Sequence, residues 1–198
     1  MTKLAEYLRH VTDVLWLNIL WLGVAVTVVG APAATVAMVA TAKDLQDGLG
    51  SSVSGTFRTH LVRTARATIR IGCLWLGVGG VLTLDLMFVT EIQSWRQVLA
   101  VGLLAIVLLF LATTVWLPCV VANTPASRPF TLVRLSGMIA VACPGATVQA
   151  ALAGALAVGS VLIAPVAILA APALAAHATA LAWRLRVVPI LPTDDRNG

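Results

Sequence analysis

The sequence predicts an all-α membrane protein: a polytopic transmembrane helix bundle of about five spans, with amphipathic helices on its cytoplasmic side. Three observations carry this. Hydrophobic residues make up 60% of the 198-residue chain and charged residues only 11%, against roughly 25% charged in a soluble domain. The mean hydropathy is +0.97. The charges are also clustered, which leaves long stretches with none, so lipid must be the solvent for most of the surface.

A helix needs roughly 20 apolar residues, at 1.5 Å each, to cross the hydrocarbon. Five segments approach that length, at 14–29, 71–88, 98–121, 146–163 and 168–184. The first two are short and the third is comfortable. The last two are hard to divide, because no charge lies between Ala146 and Trp183. A straight helix over that stretch would reach roughly 57 Å, nearly twice the hydrocarbon thickness of about 30 Å. Pro165 and Pro172 bracket the turn that must break it, since proline removes a backbone donor and clashes with the preceding helical turn.

Two further segments are helical in pattern without spanning. Gly30, Ala31 and Pro32 end the first span and open a helix over Pro32–Gln46, with Gly30 and Pro32 as the structural turn. Over 53–70, Phe57, Leu61, Val62, Ala65 and Ile69 are assigned to one side, and Arg63, Arg66 and Arg70 to the other, with His60 nearby. That is a basic amphipathic helix, and it enters the second span without a breaker. Arg58, Arg63, Arg66 and Arg70 are the candidate contacts to anionic lipid head groups, each worth about 1 kcal/mol near the surface, or to a membrane partner.

The net charge is +5. In a membrane protein this sets orientation, and no nucleic-acid motif accompanies it. Five alternating spans place Lys3, Arg9 and Arg96 on one side and the other ten of the thirteen basic residues on the opposite side. The positive-inside rule then puts the N-terminus outside and the C-terminus in the cytoplasm of a bacterial inner membrane. A rival reading is a cleaved signal peptide ending near Ala31-Pro32-Ala33. It would deliver the Lys43–Arg70 block outside, and Asn18 interrupts its apolar run.

The stretch Leu17-Asn18-Ile19-Leu20-Trp21 is followed by Val29-Gly30-Ala31-Pro32-Ala33-Ala34-Thr35-Val36-Ala37. This resembles the YesL-like family of bacterial membrane proteins, which carry an Asn-Leu-Leu-Trp core and then a Gly-Pro-Ala-Thr-Ala turn. Gly55-Thr56-Phe57-Arg58, Asp85-Leu86-Met87-Phe88 and Pro144 resemble later pieces of the family pattern. The extra Ala31 and the alanine-rich late spans depart from it. The resemblance covers about 13–183. It implies a membrane domain without a defined activity, associated with carbohydrate uptake systems, and hence an accessory role beside transporter permease subunits.

Few residues suggest chemistry. Asn18, Asp85, Gln149 and His177 are the candidate intramembrane polar groups. Asn18, Gln149, Thr147 and His177 are expected to bond neighbouring helices. Asp85 either pairs with Arg96 or couples to an ion or proton. Trp95, Trp116 and Trp183 fit interfacial belts, while Trp16, Trp21 and Trp75 lie deeper. Ala151, Ala155 and Gly159, like Gly79 and Thr83, recur every four residues, as in close helix packing. Cys73, Cys119 and Cys143 read as small buried hydrophobes. No spacing suggests a catalytic set, a metal site or a cofactor. The sequence therefore predicts a non-enzymatic accessory protein. The alternative is a small homo-oligomeric transporter or channel lined by Asn18, Asp85 and His177, and a lipid-acting enzyme is the least supported reading.

Overall fold

A computed structural model describes residues 2–27, 30–49, 52–89, 96–124 and 128–190, with side chains described at all of these except 2–7, 96, 165 and 190. Every element among the described residues is helical. Helix α1 covers Thr2–Ala25, α2 Ala31–Gln46, α3 Val53–Val89, α4 Arg96–Asn123, α5 Pro129–Ala142, α6 Pro144–Ile163 and α7 Ala171–Ala182. A 3-10 segment, Pro165–Leu169, separates α6 from α7, and a π turn, Trp183–Val187, continues α7.

Proline sets most of these starts. Pro32, Pro129, Pro144 and Pro172 each fall in the first two positions of a helix, where the missing N–H costs nothing and the fixed φ favours the helical turn. At the end of α1, Gly30 N–H donates to Thr27 O. A β-carbon on residue 30 would lie 2.7 Å from Val24 O, so only glycine fits this turn.

The helices form three hairpins, α1–α2, α3–α4 and α6–α7, with α5 joining the second to the third. Each pair runs antiparallel, and side-chain contacts fix the direction. Trp21 Nε1 donates to Thr35 Oγ1 at 3.2 Å near the α1–α2 turn, and Trp75 Nε1 donates to Thr114 Oγ1 at 2.7 Å between α3 and α4. Pro32 lies against Gly72 at one end of the α2–α3 pair, and Asp44 meets His60 at the other.

All six feet of these hairpins meet at one polar end. Lys43 Nζ donates to Asn123 Oδ1 at 2.6 Å, and Arg63 Nη2 donates to Ala122 O at 3.2 Å. Gln46 Nε2 donates to His177 O at 3.0 Å. The His177 ring touches His10 of α1 edge-on at 5.8 Å. Arg184 pairs with Asp47 at 3.2 Å. At the start of α6, Cys143 Sγ lies 3.9 Å from Arg186 O.

Helix α2 is the centre of the assembly. Nine of its residues are buried, including Ala33, Ala34, Ala37, Ala40 and Ala42. Their small side chains let α1, α3, α4 and α7 approach its backbone closely. Helix α2 is the return limb of the first hairpin; at 16 residues it is not among the helices long enough to cross a membrane. That return brings the start of α1 to the same end as Lys43, His60 and Arg184.

Among the described residues, three helices are long and apolar enough to cross a membrane: α3, α4 from Gln97, and α6. The expected first span is shorter than its predicted range, since α1 ends at Ala25. The last one consists of the 3-10 segment, the 12-residue α7 and the π turn.

Several side chains lie elsewhere than the sequence suggested. Trp116 is fully buried and Trp183 nearly so. Their rings lie 6.0 Å apart, and Trp116 Nε1 donates to Thr147 Oγ1 at 2.8 Å. They are core residues and not an interfacial belt, because the hydroxyl of Thr147 supplies inside the bundle the partner that water would supply outside it. Trp16 is exposed, with its indole bonded to Ser54 Oγ at 2.6 Å. The α3 face turned inward carries Phe57, Thr64, Thr68 and Ile71. Val62 stands 140° from Phe57 on a helical wheel at 100° per residue and is 73% exposed. On α6, the packed face is Ala146, Thr147 and Ala150, while Ala151 and Ala155 point outward. Cys73 is exposed, unlike Cys119 and Cys143. Trp95 and the 90–95 connection lie outside the described residues.

Candidate functional site

A groove of about 590 Å³ lies between α3 and α4, floored by the first turn of α2. Three local features make it. First, Trp75 stacks on Phe110 at 4.6 Å and 17°, which props the two helices at a fixed spacing. Second, Gly79 and Gly80 follow on α3 and leave bare backbone; a β-carbon on Gly80 would meet nothing within 4 Å. Third, Pro32 closes the floor against Gly72.

The lining is apolar, and its hydroxyls are spoken for. Thr35, Thr68, Thr83 and Thr114 each donate to the carbonyl four residues earlier, at 2.7–2.9 Å. Thr35 and Thr114 also accept the indole bonds of Trp21 and Trp75. The walls therefore offer mainly apolar contact area, with their hydroxyl protons already engaged. Such a surface suits an acyl chain or an apolar helix.

The predicted polar residues are not brought together. Asn18 is fully buried, and its Nδ2 donates to Ile168 O in the 3-10 segment. It thus ties α1 to the turn between α6 and α7, while its Oδ1 has no protein partner. His177 is half-buried, with Nδ1 2.9 Å from Ala173 O of its own helix. Asp85 is exposed on α3 and forms no ion pair among the described residues; the side chain of Arg96, its expected partner, lies outside them. Gln149 is exposed on α6, which corrects the expectation that it bonds a neighbouring helix: it falls on the outward side of Ala150. The four do not line a common path.

Arg58, Arg63, Arg66 and Arg70 are all exposed. Arg63 also caps α4 through Ala122 O, placing a cation where the helix dipole favours one. Gly30 and Pro32 form the α1–α2 turn described above.

Sequence reasoning missed the polar lock at the feet, where Lys43, Asp44 and Asp47 from the end of α2 reach Asn123, His60 and Arg184. The signal was present as the only Lys-Asp pair closing an apolar helix. Its partners are scattered through the chain, so no local spacing reveals them. Among the described residues, no group of three His, Cys, Asp or Glu is placed to hold a metal ion. In comparisons with protein-family models, curated proteins and solved structures, nothing matches this chain.

Proposed function

We propose that the chain is a multi-pass protein of the bacterial cytoplasmic membrane that works as an accessory or assembly partner of a transport system. Carbohydrate uptake is the system favoured by the YesL-like resemblance. In this reading the five expected spans become limbs of three hairpins, with α2 as the sixth limb.

The feet face the cytoplasm. Arg9, Lys43, Arg58, Arg63, Arg128, Arg134, Arg184 and Arg186 belong to the feet or to α5 between them, Arg66 and Arg70 follow higher on α3 toward Gly72, and positive charge is retained inside. This revises the orientation expected from five alternating spans, and both ends of the described chain take the cytoplasmic side.

The observation that carries the accessory role is the use made of polar side chains. Several of them join helix to helix, as Trp116 joins Thr147 inside the bundle and Lys43 joins Asn123 at the feet, while Thr41, Thr64, Thr68, Thr113 and Ser136 bond carbonyls of their own helices. The α3–α4 groove is apolar. This supports binding over reaction, and the dispersal of Asn18, Asp85, Gln149 and His177 weighs against a transporter or channel path. The test is crosslinking in native membranes followed by purification in mild detergent. Co-purification of a permease or binding component is the expected outcome, and recovery of the chain alone would remove the proposal.

A further inference from the structure

We propose that His10 and His177 form a proton-sensitive latch, which holds the lower part of α1 against α7 while both rings are neutral and releases it when both are charged. The latch needs no partner, so it goes beyond the accessory role and does not depend on it.

The way α1 is held sets up the latch. From Leu8 to Thr12 every residue is exposed, whereas Val14, Leu17 and Asn18 are buried. The upper part is further tied by Trp16 to Ser54, by Asn18 to Ile168 and by Trp21 to Thr35. Over 8–12, one contact does this work. The rings of His10 and His177 meet with centroids 5.8 Å apart and planes at 82°. Among the described residues it is the only ring contact, ion pair or side-chain hydrogen bond from 8–12 to another helix. Its loss frees the start of α1, and the buried residues from Val14 onward stop the release near Asp13.

The chemistry of His177 sets the response. Its Nδ1 lies 2.9 Å from Ala173 O. A carbonyl only accepts, so Nδ1 carries the proton and Nε2 is a bare lone pair. That Nε2 is buried and has no hydrogen-bond partner. A proton added there becomes an N–H without an acceptor. His10 brings the second charge to the same contact. The docked form therefore takes up fewer protons than the released form. Docking weakens as pH falls through the range in which imidazoles charge, about pH 8 to 5.

The neighbouring helices do not offset this charge. Helix α6 and the 3-10 segment carry no ionisable side chain, and α4 brings only the buried thiol of Cys119 to this end. From α2, Lys43, Asp44 and Asp47 are turned to Asn123, His60 and Arg184, and Gln46 gives its amide to His177 O. Arg186 of the π turn lies against Gly145. At the foot of α3, Arg58 is exposed and His60 meets Asp44. On α1 itself, Arg9 is a further cation, and Asp13 forms no ion pair with either ring.

Electron–electron double resonance on the purified chain in mild detergent tests the latch. With Cys73, Cys119 and Cys143 replaced by alanine, spin labels at Leu8→Cys and Leu181→Cys span α1 and α7. Labels at Leu84→Cys and Leu104→Cys span α3 and α4 as a control, and all four positions are exposed. From pH 8 to pH 5, the ratio of a longer α1–α7 distance to the docked one should rise about tenfold, the factor for two like charges at this separation near a surface. The control distance should not move. His10→Gln and His177→Gln cannot charge, and each should hold the rise to within about twofold. His10 is exposed, so its variant keeps the test open if His177→Gln fails to fold. An α1–α7 distance that stays docked at pH 5 overturns the latch. So does a full rise in either histidine variant, which would assign the responsive proton to Asp13 or to the His60–Asp44 pair. A control distance that changes in step would mean acid loosening of the whole bundle, and it overturns the latch as well.

Discussion

Gly72 packs on Pro32 so closely that a β-carbon at residue 72 would lie 2.6 Å from Pro32 Cγ and 2.8 Å from Pro32 Cβ. The contact joins the α1–α2 turn to the middle of the longest helix, and it needs the absence of a side chain. Gly72→Ala should destabilise the fold by about 1–3 kcal/mol, the usual cost of overpacking against a rigid neighbour. Gly80→Ala on the same helix meets nothing and should be neutral or stabilising by up to about 1 kcal/mol. Unfolding in mixed micelles of increasing dodecyl sulfate content, followed by circular dichroism, compares them. Equal stability of the two variants would refute the contact.

Trp116 anchors the core by its ring and by its indole N–H. Trp116→Phe keeps most of the volume and removes the bond to Thr147, for an expected loss of about 1–2 kcal/mol. Trp116→Ala removes both and should cost about 3–5 kcal/mol. By contrast, Asp47→Ala breaks an ion pair whose Arg184 side chain is 53% exposed, and it should change stability by less than about 1 kcal/mol. The same unfolding measurement ranks the three. An Asp47→Ala loss as large as that of Trp116→Ala would mean that the feet, and not the core, hold the bundle.

The hairpin arrangement predicts a topology. With Cys73, Cys119 and Cys143 replaced by alanine, Arg9→Cys and Arg186→Cys should both resist a membrane-impermeant maleimide in intact cells and both react after lysis. Labelling of position 9 in intact cells would restore the five-span orientation and separate the start of α1 from the end of α7.

Much of the helix content was legible because proline and glycine punctuate it. Gly30 to Pro32 marks the start of α2, and the proline-flanked 164–170 stretch marks the break between α6 and α7. What stayed hidden depends on long-range contact. Pro129–Ala142 reads as part of a loop because its apolar run is short, yet it is helix α5 and buries Leu132, Ser136, Ile139 and Ala140. The burial of α2 was illegible since alanine-rich segments look alike whether they skirt a bundle or run through it. Trp116 and Trp183 sit near helix ends in the sequence, where belts also occur; only the tertiary neighbours Thr147 and each other distinguish a core pair. The candidate polar residues were visible as residue types, but their separation in space was not. The groove owes its shape to the bare backbone at Gly79 and Gly80, and a sequence shows such a gap only as two glycines in a helix.

The charge-free turns of the first and third hairpins bear on how the chain is made. From Val14 to Ala42, and again from Ala146 to Trp183, the ribosome delivers no ionised side chain. Each of those stretches can therefore leave the translocon as a closed pair without dragging a solvated group through the lipid. The middle hairpin differs: under the proposed topology Asp85, Glu91 and Arg96 would have to cross the hydrocarbon, and ionised side chains resist that transfer.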